Sequence, residues 1–335
     1  MAATMRVGVA GAGFIGVVHA RAYKQVPGVE LVGVADPLKD KAQAIAGEVG
    51  CEPFSHYEDL LENGKLDLIS VCLPPALHLP AAQAAAQAGV HILMEKPITR
   101  TVAEADRLLA ICREGGVYLM TGFTHHFYPE MREAKRIVDS GALGTPLTVL
   151  DSMSISHSLV LPWYRDREIA GGGVFMCNAV HGFDRVSWVL NQRITAVSAL
   201  VQPTEGAQGE DYGSALARFD GGTQGTFFQH WGPYRTLMCE LQIYGEEGML
   251  HARSWDSLEL LIGDNRTVHR FYYPDHGLAE RVMIGMVAEL TEFVEAVRAG
   301  RQPQPSGEEG RTSVALVLAT YRSAQTGTWV ELPAP

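Results

Sequence analysis

The chain has 335 residues, of which 47% are apolar and 19% are charged, and its formal net charge is −11. This length predicts two domains, and the composition excludes an intrinsically disordered chain. The negative charge argues against sequence-independent binding of nucleic acid. The sequence has five cysteines without a CxxC pair, and it contains neither an 18-residue uncharged apolar run nor a signal-peptide pattern. We therefore expect a cytoplasmic protein with no membrane partner and no disulfide framework.

Short apolar runs alternate with helix-like segments through the first part of the chain. The runs predict strands at Arg6–Ala10, Leu31–Ala35, Leu68–Leu73, Val90–Met94 and Val117–Thr121. Two capping boxes, Ser55 with Glu58 and Thr101 with Glu104, predict where helices begin. The alternation is typical of βαβ units. Residues 1–123 are therefore predicted to form an α/β domain, a Rossmann doubly wound parallel sheet.

The pattern changes after Phe123. Helices are predicted at Glu130–Ser140, Val174–Leu190, Arg281–Ala299 and Glu308–Ala324. Ser306 and Glu309 form a capping box for the last helix. Between residues 193 and 271 the sequence is strand-like, and Met238–Tyr244 alternates between apolar and polar residues. Residues 124–335 are therefore predicted to form an α+β domain with a mostly antiparallel open sheet, which binds substrate and supports a homodimer or homotetramer.

A GxGxxG motif joins the first predicted strand to a helix. It consists of Gly11, Ala12, Gly13, Phe14, Ile15 and Gly16. The first glycine permits the tight turn, the second lets the backbone approach a pyrophosphate, and the third lets the helix pack on the strand. The positive end of the helix then attracts the phosphates. The alternative is a glycine turn that binds no ligand.

Asp36 follows Gly16 by 20 residues, at the end of the second predicted strand. A carboxylate at this position accepts hydrogen bonds from the ribose hydroxyls and repels a 2′-phosphate. NAD is therefore the expected cofactor, and residues 1–123 are predicted to be an NAD(P)-binding Rossmann domain. NADP stays open because Lys39 and Lys41 lie close by. The alternative for Asp36 is a residue that only begins a turn before Pro37.

Lys96 comes just after the predicted strand Val90–Met94. Ligands bind outside the carboxyl ends of the strands in an open α/β sheet, so Lys96 is expected near the nicotinamide. An ammonium group there stabilises an alkoxide or polarises a carbonyl. The alternative is a surface lysine at a strand end.

A second candidate group follows Gly171-Gly172-Gly173. On an α-helix Cys177, Asn178, His181 and Asp184 would share one face. The ordinary pKa of histidine suits proton exchange with a hydroxyl, which favours His181 as a catalytic residue. One alternative is a core-facing helix with local hydrogen bonds only. Another is a metal site completed by His125 or His126, but no carboxylate or second cysteine has ligand spacing, so no metal is expected.

Several motifs together resemble the glucose–fructose oxidoreductase, inositol dehydrogenase and rhizopine-catabolism (Gfo/Idh/MocA) family. The resemblance covers nearly the whole chain. It is carried by GAGFIG with His19 behind it, Asp36, VCLPPALH at 71–78, MEKP at 94–97, GFTHHFYPEMREAKRIVDSGALG at 122–144, GGGVFMCNAVHGFD at 171–184 and PSGEEGRTSVALVLATYRSAQTG at 305–327. The EKP lysine and the histidine after GGG are the most specific elements.

The resemblance implies that Lys96 and His181 are the catalytic pair. It implies cofactor contacts from Gly11 to Gly16 and from Asp36, Leu73, Pro74, His78, Glu95 and Lys96. It places Lys96, Thr124, His125, Trp163, Arg165, Asn178 and His181 near the substrate or nicotinamide.

Two positions depart from the family pattern. Pro75 stands where many members carry Asn, and Cys177 stands where many inositol-type members carry Asp. The missing carboxylate puts inositol itself in doubt as the substrate. Asn178 can take the hydrogen-bonding role but carries no charge.

The expected reaction moves a hydride between nicotinamide and a secondary hydroxyl or ketone of a sugar, sugar derivative or cyclic polyol. The aromatic residues Trp163, Tyr164 and Trp231 are candidates to stack on a sugar ring, or else they only pack in the core. Two other functions stay open. One is a catalytically silent NAD-binding sensor or scaffold. The other is a lyase or epimerase in which bound NAD is only transiently reduced.

Overall fold

The computed structural model describes residues 4–201, 208–234, 237–273 and 278–333. Two compact units are formed, Met1–Thr124 with His276–Arg311 and His125–Asp275 with Thr312–Pro335. Among the described residues, no helix has the length and apolar character needed to cross a membrane.

The first unit contains a sheet of six parallel strands in the order β3-β2-β1-β4-β5-β6. The strands are β1 (Met5–Ala10), β2 (Val29–Ala35), β3 (Glu52–Phe54), β4 (Leu68–Val71), β5 (His91–Met94) and β6 (Leu119–Thr121). The helices are α1 (Phe14–Tyr23), α2 (Lys39–Val49), α3 (Tyr57–Gly64), α4 (His78–Gln87), α5 (Val102–Glu114) and, from later in the chain, α9 (Leu278–Arg298). The predicted doubly wound parallel sheet is confirmed. Strand β3 was not predicted, because its three residues form no apolar run.

The second unit contains a sheet of nine strands in the order β14-β13-β12-β11-β7-β10-β9-β8-β15. The strands are β7 (Pro146–Ser156), β8 (Ile194–Val201), β9 (Tyr212–Phe219), β10 (Gln224–Gly232), β11 (Leu237–Gly245), β12 (Gly248–Arg253), β13 (Ser257–Ile262), β14 (Asn265–Arg270) and β15 (Val330–Glu331). The helices are α6 (Pro129–Asp139), α7 (Arg167–Ala170), α8 (Val180–Leu190) and α10 (Gly307–Thr326), whose first residues belong to the first unit. Only β7 and β10 pair in parallel, so the predicted mostly antiparallel sheet is confirmed.

The capping boxes give mixed results. Glu104 N donates to Thr101 Oγ at 3.1 Å, which confirms the predicted start of α5. Glu309 N donates to Ser306 Oγ at 3.4 Å, and Ser306 N donates back to Glu309 Oε2 at 2.5 Å. The box at Ser55 is wrong, because α3 begins at Tyr57 with His56 as its N-cap.

The first unit gains a segment from late in the chain. Helix α9 packs against α1. Beyond α9, Pro305 O accepts a 2.9 Å hydrogen bond from Thr121 N, and Gln302 Nε2 donates to Leu119 O at 2.7 Å. This segment therefore covers the edge strand β6, which would otherwise leave backbone groups unpaired. The division into functional domains at 1–123 and 124–335 stays a prediction.

Candidate functional site

The glycine loop between β1 and α1 has little room for side chains at two of its glycines. Gly11 has φ +103°, and a Cβ on it would lie 2.4 Å from Cys72 O. A Cβ on Gly16 would lie 1.9 Å from Gly11 O. Both positions therefore require glycine for close backbone packing. A Cβ on Gly13 would meet nothing within 4 Å, so the space over the middle of the loop is open.

The start of α1 fits a dinucleotide phosphate. The helix begins at Phe14 with Gly13 as its N-cap, and no side chain of the described residues caps it. The backbone N–H groups of Phe14 and Ile15 lie in the first turn and lack an acceptor within the helix. These donors and the helix dipole favour an anion, and the open space over Gly13 admits one.

Asp36 follows β2 and is bonded to the glycine loop. Ala12 N donates to its Oδ2 at 2.8 Å, and Leu38 N donates to its Oδ1 at 2.8 Å. Each carboxylate oxygen has a further lone pair for a ribose hydroxyl. The backbone bonds fix the direction of the carboxylate before any ligand binds.

The end of β4 lies beside the same loop. Leu73 Cδ2 would be 3.5 Å from a Cβ on Gly11, and Pro74 follows it as the N-cap of a short 3₁₀ turn. His78 is fully buried, and its two ring nitrogens lie 2.8 Å from Leu73 O and 3.2 Å from Ile98 O. Burial lowers the pKa of His78 despite these carbonyl contacts. The ring therefore joins the β4 and β5 loops, and direct contact between His78 and cofactor stays a prediction.

Lys96 follows β5, and buried groups fix its backbone. Its N–H donates to Glu95 Oε2 at 3.1 Å, while Glu95 Oε1 lies 3.1 Å from Nε2 of the fully buried His19 on α1. Burial acts to raise the pKa of Glu95, but the hydrogen bond and charge of His19 and the charge of Lys96 outweigh it and lower the pKa. An ionised Glu95 thus connects α1 to the backbone of Lys96.

Thr124 is the last residue of the first unit, and it is buried. Its Oγ1 donates to Glu289 Oε2 on α9 at 2.9 Å. Glu289 is fully buried, and among the described residues its Oε1 has no hydrogen-bond partner. Burial and then the charge of Glu95 raise the pKa of Glu289 well above its ordinary value. The Thr124 hydroxyl therefore gives its proton to Glu289, and its oxygen can still accept a further hydrogen bond.

In the second unit, the glycines before α8 allow two close contacts. A Cβ on Gly172 would lie 2.1 Å from Tyr321 Oη, and a Cβ on Gly173 would lie 2.1 Å from Glu210 O. The Glu210 carboxylate accepts hydrogen bonds from Phe175 N at 2.9 Å and from Tyr321 Oη at 2.8 Å. The glycine run therefore lets α10 and Glu210 reach the start of the next helical segment.

The helix predicted over Val174–Leu190 is not a single α-helix. Phe175–Ala179 forms a π-helical turn, and α8 begins only at Val180. The wider π turn changes the angular spacing of Cys177 and Asn178 relative to His181 and Asp184. That these four side chains share one face stays a prediction. Asn178 is buried, and its Nδ2 has no hydrogen-bond partner among the described residues. Such π turns are frequent at functional sites.

His181 stacks on His125 within the second unit. The ring centroids are 4.3 Å apart, and the ring planes differ by 7°. The neighbouring His126 takes a different partner, since its Nε2 lies 2.7 Å from Asp184 Oδ2 and its ring stacks on Trp188. The two adjacent histidines therefore have distinct surroundings.

Arg165 and Trp163 belong to a polar and aromatic group after β7. Arg165 Nε donates to Asp211 Oδ1 at 2.8 Å, and its guanidinium lies 5.8 Å from the ring centre of Trp231. Trp163 packs edge-on against Tyr164, with ring centroids 4.2 Å apart. Trp231 is buried, and its Nε1 has no acceptor among the described residues. The charge of Arg165 is therefore balanced by Asp211.

The metal alternative can be compared with these contacts. Among the described residues, no group of three or more His, Cys, Asp or Glu side chains has the arrangement of a metal site.

Comparison with known proteins identifies the family. Residues 5–123 match the model of an oxidoreductase family with an NAD-binding Rossmann fold (GFO_IDH_MocA), and residues 131–251 match the GFO/IDH/MocA C-terminal domain. The chain belongs to the Gfo/Idh/MocA family. It is an NAD-dependent oxidoreductase, and its N-terminal domain is the family's NAD-binding domain.

Three relatives of the Gfo/Idh/MocA family show the range of similarity. The chain is 25% identical to the myo-inositol 2-dehydrogenase of Thermotoga maritima, over 98% of each chain. It is 30% identical to the dTDP-3,4-didehydro-2,6-dideoxy-alpha-D-glucose 3-reductase of Streptomyces violaceoruber, over 96% of this chain and 93% of that one. The structure of GenD2 from gentamicin A biosynthesis in complex with NAD has a TM-score of 0.87 and 27% identity, and the match covers 100% of this chain and 98% of that one.

Sequence reasoning missed Arg185, Asp151, Glu210 and Asp211. Arg185 carried a signal, since it directly follows Asp184 in a helix that is otherwise mostly apolar. Asp151 and Glu210 contact the helical segment only through long-range packing, which a single sequence does not reveal. Arg165 was expected near substrate, but its pairing with Asp211 has no local signal.

Proposed function

We propose that this protein oxidises a secondary hydroxyl of a sugar, sugar derivative or cyclic polyol to a ketone, and catalyses the reverse reduction. NAD, when bound, supplies the hydride acceptor for the carbon that is oxidised. The observation that carries the proposal is the fixed backbone of Lys96. Its N–H donates a hydrogen bond to Glu95, and Glu95 in turn contacts the buried His19 on α1. A lysine whose backbone is fixed by a buried network can present its ammonium group to charge that develops on an oxygen.

In this proposal each catalytic or binding role is assigned to a named group of the chain. The His181 imidazole accepts the hydroxyl proton, and the Lys96 ammonium stabilises the negative charge that develops on the oxygen. In the reverse direction His181 returns the proton. Asp36 binds the adenosine ribose, and the amides at the start of α1 bind the pyrophosphate. Trp163, Arg165, Asn178, Thr124 and His125 are proposed to orient the substrate.

The proposed substrate is neutral. Arg165 is paired with Asp211 at 2.8 Å, so its charge is already balanced. A guanidinium whose charge is already balanced gains less from a second carboxylate than an unpaired guanidinium does. The known activities of inositol and sugar-nucleotide relatives agree with a hydroxyl or ketone as the reacting group.

A substrate panel tests the proposal. Inositols, aldoses, sugar acids and anhydrosugars are each offered with NAD and with NADP, and reduced nicotinamide is read at 340 nm. We expect turnover of a neutral polyol or sugar with NAD. Product formed without net reduced cofactor would instead support the lyase or epimerase, and NAD binding without turnover of any compound would support the silent sensor.

Lys96→Ala tests the catalytic cation. Turnover should fall by roughly 10²-fold or more, while the Kd for NAD stays within about twofold, because the charge acts mainly on the transition state. Lys24→Ala removes an exposed lysine after α1 and serves as the matched control. A Lys96→Ala enzyme with normal turnover would refute the assigned role.

A further inference from the structure

A buried polar cluster surrounds His125 in the second unit. Arg185 Nη1 lies 3.1 Å from His125 Nδ1. The His125 ring also stacks in parallel on the ring of His181. Tyr128 packs beside His125, with ring centroids 5.4 Å apart. Arg185 is fully buried, and both histidines are buried. His125 is thus in contact with a fixed cation and with the proposed catalytic base.

Protein groups on several strands hold the guanidinium of Arg185. Its Nε and Nη2 donate to Asp151 Oδ2 on β7, at 2.6 Å and 2.5 Å. Its Nη1 also contacts Cys239 Sγ, and its Nη2 lies 3.4 Å from Glu240 O on β11. Asp151 reaches the helix because Gly182 lacks a side chain, since a Cβ there would lie 2.5 Å from Asp151 Oδ1. Arg185 therefore has almost no freedom to turn away from His125.

The chemistry of the guanidinium fixes the tautomer of His125. Arginine offers only donors and keeps its charge, so His125 Nδ1 must be the acceptor in the 3.1 Å contact. The ring proton of His125 then resides on Nε2. A second proton on Nδ1 would break this hydrogen bond and place a positive charge against Arg185. His125 is therefore kept neutral.

The neutral state of His125 affects His181 through the ring stack. Two imidazolium rings with centroids 4.3 Å apart would repel each other in a buried site. Because His125 stays neutral, His181 can gain a proton without that repulsion. Arg185 and His181 on α8 and Tyr128 in its own segment contact His125. Asp151 on β7 and Cys239 on β11 contact Arg185, and Glu130 interacts with the charge of Arg185.

We propose that Arg185 is a positioning residue that acts through His125: it locks His125 as the neutral Nε2–H tautomer and fixes the ring on which His181 lies, so that His181 alone exchanges a proton. This inference rests on the proposed role of His181 as the base. Asp151 supports it by neutralising Arg185, so the buried charge does not remain unpaired.

The tautomer is tested first, by a measurement that does not depend on turnover. Long-range ¹H–¹⁵N spectra of the full chain with labelled histidine are recorded across neutral and mildly acidic pH. His125, assigned with a His125→Asn variant, should show a bare Nδ1 and a protonated Nε2 throughout. A wild-type His125 that carries its proton on Nδ1, or that titrates in this range, would overturn the inference.

Two variants separate charge from geometry. The double variant Arg185→Met with Asp151→Leu replaces the buried ion pair with apolar residues, a change that folds tolerate better than a single unpaired charge. Its His125 should titrate, and the acidic limb of log(kcat/KM) against pH should move to higher pH with a slope still near one, because a proton on either ring now blocks the base while repulsion between the stacked rings disfavours a proton on both. Arg185→Lys keeps the charge but loses the planar pair of donors, so we expect the limb to stay at its wild-type pH with kcat lowered about tenfold and KM nearly unchanged.

His126→Asn is the matched control, because His126 neighbours His125 but contacts Asp184 and Trp188 instead. It should lower Tm and leave the acidic limb at its wild-type pH. A double variant whose His125 does not titrate would overturn the inference. If the wild type turns over no polyol or sugar, the proposed function fails, and the tautomer spectra alone then decide the role of Arg185. If the double variant does not fold, the wild-type and Arg185→Lys spectra decide it.

Discussion

Ala12 N donates a 2.8 Å hydrogen bond to Asp36 Oδ2, which joins the glycine loop directly to the acid that follows β2. The Asp36 carboxylate thereby helps to hold the loop in shape. In the proposed function, its remaining lone pairs bind the ribose hydroxyls. Leu38 N, which donates to the other oxygen, completes this orientation.

Asp36→Ala should weaken NAD binding and relieve discrimination against NADP. The variant removes two ribose acceptors and the charge that repels a 2′-phosphate. We expect the ratio of Kd values, NADP over NAD, to fall about tenfold, which corresponds to roughly 1.4 kcal/mol. Fluorescence titration with both cofactors measures it. Asp40→Ala, at an exposed position on α2, should leave the ratio unchanged. A wild type that binds NADP more tightly than NAD would show that Asp36 does not set the preference.

Two glycine substitutions should have opposite effects. Gly13→Ala places a methyl group where nothing lies within 4 Å, so the free energy of unfolding should hardly change while NAD binds more weakly. Gly172→Ala drives a methyl group against Tyr321 Oη, which is bonded to Glu210, and should cost about 1–3 kcal/mol of stability. Urea denaturation and NAD titration of both variants check this. Equal stability of the two variants would contradict the packing argument.

Glu289→Gln should stabilise the protein more at high pH than at low pH. Burial raises the pKa of Glu289 in the folded state well above its value of about 4.3 in an unfolded chain. The folded state therefore holds a proton that the unfolded state releases, and this contribution to wild-type stability falls as pH rises above the unfolded value. Glutamine does not titrate. The free energy of unfolding, measured by urea from about pH 4 to pH 8, should shift progressively in favour of the variant.

The control for Glu289 is Glu295→Gln, at an exposed position on the same helix α9. Its difference from wild type should stay nearly constant with pH, because this side chain is exposed to solvent in the folded protein as well as in the unfolded chain. A constant difference for Glu289→Gln as well would mean that Glu289 is not held protonated in the folded protein.

Self-association should use the open face of the nine-stranded sheet. Leu200, Tyr212, Leu216 and Phe228 on β8, β9 and β10 are 80%, 54%, 50% and 44% exposed. Apolar side chains grouped in this way on a sheet face are typical of an interface. Leu216→Glu should shift the protein toward monomer in sedimentation. Asn265→Glu adds the same charge at an exposed position on β14 and should not do so. A wild-type monomer would remove the oligomer prediction.

Local sequence signals predicted the first unit better than the second. The glycine loop, the strands before Asp36 and Lys96, and the capping boxes at Thr101 and Ser306 all depend on neighbouring residues, so a single sequence reveals them. The Ser55 box failed because a capping pattern does not ensure that the chain turns into a helix at that residue.

Long-range packing explains what the sequence could not predict. The π turn at Phe175–Ala179 lies where Glu210 accepts hydrogen bonds from Gly173 N and Phe175 N, and Glu210 is far away in the chain. The Arg185–Asp151 pair likewise joins α8 to β7. Neither contact produces a periodic pattern in the sequence. His181, in contrast, was predicted as a catalytic residue because its motif is local.

The role of His181 is the part of the proposed function that a single substitution tests most directly. His181→Ala should reduce turnover by roughly 10²–10⁴, which is typical for loss of a general base. A base must be neutral to accept a proton, so wild-type activity should fall as pH decreases, and the variant should lose that acidic limb of the pH–rate profile. Steady-state kinetics across pH with the best substrate of the panel measure both effects. NAD affinity should stay nearly unchanged.

Cys177→Ser completes the comparison, because Cys177 lies in the π turn just before the helix that carries His181. Cys177 is buried, and serine is nearly isosteric, so we expect turnover within about threefold of wild type and a preserved acidic limb. The opposite pattern, in which Cys177→Ser abolishes activity and His181→Ala is tolerated, would point to a thiol mechanism or to metal ligation. A thiol mechanism would be blocked by thiol alkylation, and metal ligation would be blocked by chelation. If either treatment stopped turnover while His181→Ala did not, the proton would have to be assigned to a group other than His181.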